Sequence, residues 1–180
     1  ERVMLEIIEP TLRGLTEEGS PYVGFLYAGL MIDQDGQPKV IEYNCRFGDP
    51  EAQPVFFRLR SDFLEACQKA VSGDLADYKL EFDKRVALGV VMAADGYPFE
   101  YKKGAAIRGL EDERVETKVF HAGSIEVEGE IRTNGGRVLC VVGIGDDIRA
   151  AAERAYSRVS TIAWDQHYYR RDIGHRAMDR

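Results

Sequence analysis

Glu42, Asn44 and Arg46 occupy alternate positions in the stretch Lys39-Val40-Ile41-Glu42-Tyr43-Asn44-Cys45-Arg46-Phe47-Gly48-Asp49-Pro50-Glu51. A carboxylate and a carboxamide oxygen are hard donors suited to Mg²⁺, an ion held by few protein groups and shared with substrate phosphates. A guanidinium just beyond them suits phosphate oxygens, which it binds through two parallel hydrogen bonds. The spacing has chemical meaning only on a strand, where side chains alternate between faces. Residues 39–44 are rich in β-branched and aromatic types and contain no breaker, so a strand is predicted. It would put Val40, Glu42 and Asn44 on one face and Ile41 and Tyr43 on an opposite, buriable face. A solvent-facing strand edge running into a Gly-Asp-Pro turn accounts for the same residue types, and the string alone does not decide between the two.

The surrounding pattern supplies elements that would hold this strand. Met4, Ile8, Leu12 and Leu15 recur at helical spacing within Glu1–Glu18, interrupted by Pro10. A kink, or a helix restarting with Pro10 in its first turn, reconciles the two. The chain opens at Glu1 inside this helical pattern, so a piece of a longer protein is expected. Val23–Ile32 is an apolar run that predicts a buried strand, joined through the loop 33–38 to strand 39–44 as an antiparallel pair. Ser61 is the expected cap of a helix from about Asp62 to Val71, closed by Gly73.

After a polar stretch at 73–83 the texture changes. Strands are predicted at 85–94, 105–108, 118–121, 124–127, 130–133 and 137–144, with Asn134-Gly135-Gly136 as a tight turn between the last two. Asp146 or Asp147 is expected to cap an amphipathic helix over 148–162. The tail carries Tyr168, Tyr169, Arg170, Arg171 and Arg176, a basic and aromatic end.

Composition bounds the partners. The chain has 180 residues, 44% hydrophobic and 31% charged, enough for one or two small domains with a real core. Net charge is −7, which argues against a broad nucleic-acid surface. The basic groups fall mostly in the second half. Residues 1–79 carry 8 Lys/Arg against 14 Asp/Glu, and residues 80–180 carry 16 against 17. Cys45, Cys67 and Cys140 form neither a disulfide framework nor a zinc pattern and fit a reducing cytoplasm. No apolar run approaches a membrane span, and no signal-peptide pattern is present. His121, His167 and His175 do not cluster in sequence.

Several strings together carry a family resemblance. Gly24-Phe25-Leu26-Tyr27-Ala28-Gly29-Leu30 followed by Val40 through Glu51 resembles the C-terminal part of the ATP-grasp region of the phosphoribosylamine–glycine ligase (glycinamide ribonucleotide synthetase) family. Gly89–Ala94, Lys118–Gly123, Asn134–Leu139 and Arg171–Gly174 are similar to that family's C-terminal domain, in the same order. The resemblance spans essentially the whole chain, and Asn-Cys-Arg-Phe-Gly-Asp-Pro-Glu is its most specific part.

The resemblance implies an α+β fold. Residues 1–79 would be the C-terminal portion of an ATP-grasp domain, an antiparallel sheet with helices. Residues 80–180 would be a small β-barrel- or sandwich-like domain with one helix. It also implies a cytoplasmic ligase of purine biosynthesis, joining glycine to 5-phosphoribosylamine through glycyl phosphate. ATP would be the co-substrate and Mg²⁺ or Mn²⁺ the cofactor, with no nucleic-acid or membrane partner. Glu42 and Asn44 match the family's metal ligands, and Arg46 its catalytic arginine. Asp49 is a candidate for orienting a substrate amine or a loop, unless it is only a turn residue before Pro50. Arg170 and Arg171 are candidates for the ribose 5-phosphate, unless they are only a solvated basic end. The backbone of 134–137 is a possible anion site, though a hairpin turn explains it equally well. The Gly-rich phosphate-covering loop and adenine-site lysine would lie in an N-terminal remainder of the same enzyme. The 180-residue chain alone is therefore expected to be inactive, with apolar strand residues left exposed. A different ATP-grasp ligase of phosphoribosyl precursors and a non-catalytic β-rich binding module are the rival readings. The module lacks the displayed lysine between methionines that a biotinyl-type domain would show.

Overall fold

The computed structural model describes residues 1–178, a mixed α/β chain with antiparallel sheets. It divides into two compact units: Glu1–Gly48 with Asp62–Lys79, and Asp49–Ser61 with Leu80–Arg180. The sequence reading keeps residues 49–61 with the first portion, whereas by its packing this segment belongs to the second unit.

In the first unit a π-helical turn, Met4–Ile8, leads into helix α1, Glu9–Glu17, with Pro10 in its first turn. The helical backbone does not break there. Pro10 follows directly on the π-type turn, in which Glu9 N–H reaches back to the Met4 carbonyl, so the proline sits inside a continuous helical stretch and not at the expected restart. Strand β1 is Tyr27–Ile32, shorter than the run 23–32 and half-buried to exposed rather than buried. Gly24, at φ +152°, breaks the run, and the Tyr22 ring lies against it. The β1 strand pairs antiparallel with β2, Pro38–Asn44. The loop between them is built on Asp33, whose Oδ1 accepts from the N–H groups of Asp35 at 3.0 Å and Gln37 at 2.8 Å. Helix α3, Phe63–Ser72, is capped by Asp62, not Ser61. Asp62 Oδ1 accepts from Leu64 N–H at 2.8 Å and Glu65 N–H at 3.2 Å, and Gly73 closes the helix in the left-handed region.

In the second unit a four-stranded antiparallel sheet runs in the order β4-β7-β3-β8. Its strands are β3, Val86–Ala94; β4, Thr117–His121; β7, Arg137–Gly145; and β8, His167–Tyr169. A hairpin of β5, Ser124–Val127, and β6, Glu130–Thr133, forms a separate pair. The sequence reading makes 134–136 a hairpin turn between β6 and β7. These strands take different partners, so the glycines instead serve a close crossing of backbones. A Cβ on Gly123 would lie 2.6 Å from Gly135 Cα, and one on Gly136 would lie 2.2 Å from the Tyr97 ring.

Helix α4, Ile148–Val159, packs on one face of the sheet through Ala151, Ala152, Ala155 and Val159, and Asp147 caps it. Leu88, Val90, Met92, Leu139 and Val141 meet those alanines to form the core. Gly143 allows the close approach, since a Cβ there would come within 2.4 Å of the Ala151 carbonyl. Helix α2, Ala52–Arg58, was not anticipated; on the other face, Pro54 comes close to Gly89 and Cys140 lies nearby. The tail also contains structure that the sequence reading left out, β8 and the short helix α5, His175–Met178.

Asp83 gathers a set of arginines within this unit. Its carboxylate accepts from Arg85 Nε at 3.0 Å, Arg85 NH2 at 2.8 Å and Arg60 NH2, while its carbonyl accepts both Arg58 Nε and NH2. The bonds from Arg85, then that from Arg60, hold the Asp83 carboxyl below the usual carboxylate range.

Two outcomes follow. Truncating the fully buried Leu139 to Ala should lower the denaturant midpoint of the second unit by the equivalent of about 2–5 kcal/mol. Because Asp83 stays ionised to lower pH folded than unfolded, its contribution is complete above about pH 4 and disappears as acid protonates it. Melting temperatures taken from pH 2 to 7 should therefore fall less steeply at the acid end for Asp83→Asn than for the parent chain.

Candidate functional site

The hairpin register decides where the predicted ligands point. Gly29 pairs with Glu42, but its neighbour Leu30 pairs with Val40, leaving Ile41 as an extra residue. This is a β-bulge. Gly29 and Leu30 point to opposite faces of β1, so their partners Glu42 and Val40 do too. The expected grouping of Val40 with Glu42 and Asn44 is thus corrected. Val40 joins Ala28, Leu30 and Tyr43 on the apolar face. Glu42 and Asn44 share the other face with Tyr27 and Gly29. Thr11 Oγ1 lies 2.8 Å from the Tyr43 hydroxyl, joining α1 to the apolar side.

Glu42 is exposed and Asn44 half-buried, and Asn44 Nδ2 donates to Glu42 Oε1 at 3.1 Å. The two side chains therefore lie together, as predicted. Just past them, Arg46 donates from NH1 to the Phe47 carbonyl at 2.8 Å. The turn that carries Arg46 is pinned by an aromatic trio: the Phe47 ring lies 4.5 Å from Phe25 and 5.9 Å from Phe63, with Phe25 5.5 Å from Phe63. Among the described residues no group of three or more His, Cys, Asp or Glu side chains gathers to hold a metal. One carboxylate and one amide make a sparse set of hard oxygen donors, a chemistry that suits an oxygen-seeking divalent cation and not a structural zinc.

The remaining candidates belong to the second unit. Asp49 is bound by Arg137, which donates from NH1 to its carbonyl at 2.8 Å and from NH2 to Oδ2 at 2.9 Å. It is thus more than a turn residue. Arg170 makes a two-pronged pair with Asp172 at 2.9 and 2.7 Å, and this bond holds the Asp172 carboxyl below its ordinary value. The Arg171 guanidinium lies 5.9 Å from the Tyr169 ring centre. Two surface hollows of about 510 and 530 Å³ lie beside β4, and neither is lined by Arg170 or Arg171. Each histidine bonds locally, Nδ1 of His121 to Ser124, of His167 to the Trp164 carbonyl and of His175 to the Asp172 carbonyl. No histidine-based centre forms among the described residues.

Residues 1–52 match the family model described as phosphoribosylglycinamide synthetase, ATP-grasp (A) domain, and residues 87–176 match phosphoribosylglycinamide synthetase, C domain. The chain belongs to the phosphoribosylglycinamide synthetase family. It is 52% identical over 180 residues to a phosphoribosylamine–glycine ligase of Vibrio parahaemolyticus, covering 99% of this chain and 42% of that protein. Against the ligase of Escherichia coli O157:H7 it is 52% identical over 182 residues, covering 100% of this chain and 42% of the relative. A crystal structure of phosphoribosylamine–glycine ligase from Thermotoga maritima superposes with a TM-score of 0.82 at 37% identity, over 96% of this chain and 42% of that one. The chain thus spans 42% of the length of the relatives it matches.

Sequence reasoning missed two residues. Gly29 stands directly across from Glu42, and a glycine inside a strand was an available sign of a bulge or close approach. Arg137 is 88 positions from Asp49, and no local pattern joins them.

The three thiols differ enough to be told apart. Burial, reinforced by the Asp49 charge, pushes the Cys140 thiol up to about 12. Iodoacetamide at pH 7.5 should modify the exposed Cys45 in the native chain and leave Cys140 intact until denaturant is added, as peptide mass spectrometry would show.

Proposed function

We propose that this chain is the C-terminal part of an ATP-dependent ligase that joins glycine to 5-phosphoribosylamine, forming glycinamide ribonucleotide, ADP and phosphate. The observation that carries this reading is the side-by-side placement of Glu42 and Asn44 on one strand face, with Arg46 immediately after them in the family's most specific string. In this reading ATP phosphorylates the glycine carboxylate. The amine of phosphoribosylamine then attacks the acyl carbon, and phosphate leaves with the bonding electron pair. Glu42 and Asn44 would hold the Mg²⁺ or Mn²⁺, which when bound neutralises charge on the nucleotide phosphates. The Arg46 guanidinium stabilises the charge that builds on the transferred phosphoryl and on the acyl phosphate. The first unit then represents the end of an ATP-grasp region, and the second a small barrel- or sandwich-like domain. The bridges Ala106↔Arg132 and Arg108↔Ala163, which tie the 105–108 segment to the hairpin and to the residues after α4, support the latter.

Arg170 and Arg171 are assigned to the ribose 5-phosphate, Arg171 with its charge over Tyr169 and Arg170 by exchanging Asp172 for the ligand. Asp49 acts by anchoring Arg137 rather than by touching substrate. The Gly-rich loop and adenine-site lysine come from an N-terminal remainder. The three free cysteines fit a reducing cytoplasm.

A chimera tests this reading. In it, residues 1–180 replace the matching segment of the Escherichia coli O157:H7 ligase, to which they are 52% identical. It should release ADP only when glycine and phosphoribosylamine are both supplied, while the 180-residue chain alone releases none. Arg46→Ala in the chimera should lower kcat/KM by about 10²–10³-fold. A folded chimera with no such ADP release overturns the assignment.

A further inference from the structure

Glycine at position 29 is not required by backbone geometry, since its φ lies outside the left-handed region and an L-residue would fit the strand. Nor is it required by general crowding. A Cβ built at Gly29 would have its three nearest neighbours in a single residue, Glu42: Cγ at 3.0 Å, the carbonyl oxygen at 3.6 Å and Oε1 at 3.8 Å. The first distance is tighter than side chains tolerate without yielding. The group that would yield is the stem of Glu42, because a side chain shifts more readily than the backbone of a paired strand. A shift of a few tenths of an ångström at Cγ would move the carboxylate that Asn44 Nδ2 meets at 3.1 Å. The bulge at Ile41 sits directly before Glu42 and sets which residue stands across from Gly29.

We infer that Gly29 is a positioning residue, whose missing side chain keeps the Glu42 carboxylate beside Asn44 as a cation-binding pair. This role rests on the proposed assignment of Glu42 and Asn44 to a divalent cation. On the same strand face Met31 lies opposite Lys39 and is exposed, so a change there perturbs the hairpin without touching Glu42.

Mn²⁺ alone, titrated into the 180-residue chain, provides the test through paramagnetic broadening of the Asn44 side-chain amide signal. The parent chain should show broadening, and Met31→Ala should match it; a parent chain that shows none overturns the ligand assignment and the role of Gly29 with it. Gly29→Ala should need roughly tenfold or more Mn²⁺ for the same effect, since supporting residues of metal ligands act on that scale. Glu42→Gln should lose the effect. If Gly29→Ala titrates like the parent while Glu42→Gln does not, the role of Gly29 is overturned and the ligand assignment stands. If Glu42→Gln broadens like the parent, the ligand assignment itself falls, and the role of Gly29 with it. Equal losses in Gly29→Ala and Met31→Ala would mean damage to the hairpin and would also overturn the inference.

Discussion

The pairing of β1 with β2, with its one extra residue at Ile41, is the constraint on which the candidate site depends. Strand geometry makes side-chain direction a matter of parity, so one inserted residue reverses everything on its far side. Glu42 and Asn44 lie on the same side of the bulge and keep their common face. Val40 lies beyond it and turns to the apolar side, where Tyr43 meets Thr11. A two-stranded hairpin is marginal alone. Here the turn after β2 is held by the rings of Phe25, Phe47 and Phe63, so Arg46 leaves the strand from an anchored position.

The two units rest on different balances of burial. In the second, β7 is buried along nearly its whole length and α4 lies close against it over Gly143 and Gly145. In the first, Ile7 and Ala66 are the buried apolar side chains, while Met31, Ile32, Val40 and Ile41 stay more than two-fifths exposed. Such a hairpin shows an apolar surface of the kind that other protein normally covers. That agrees with a chain that spans 42% of the length of its relatives. No helix among the described residues is long and apolar enough to cross a membrane.

Charge is distributed by the same logic of paired groups. Asp83, Asp49 and Asp172 each hold one or more arginines, and each of these arrangements fastens a loop to regular structure or stiffens a turn. Arg158 is held differently, as a buried guanidinium satisfied by the carbonyls of Gly109 and Leu110 and the Thr161 hydroxyl. Its burial lowers its pKa, with the charge of Asp112 acting in the opposite direction. Arginine keeps its proton under such conditions, where lysine would surrender it.

The local determinants were legible in the sequence. The closing Gly73 bracketed α3, amphipathic patterning located α4, and alternation located the Glu42–Asn44 strand face. These depend on near neighbours, and so did the family string, whose residues are contiguous. Tertiary structure alone decided the bulge at Ile41, the cap at Asp62 rather than Ser61, the different partners of β6 and β7, and the bond between Asp49 and Arg137. Each of these is a pairing between residues distant in the chain or a choice between adjacent donors. Such choices are settled by which backbones can approach, and residue types along a strand do not record that.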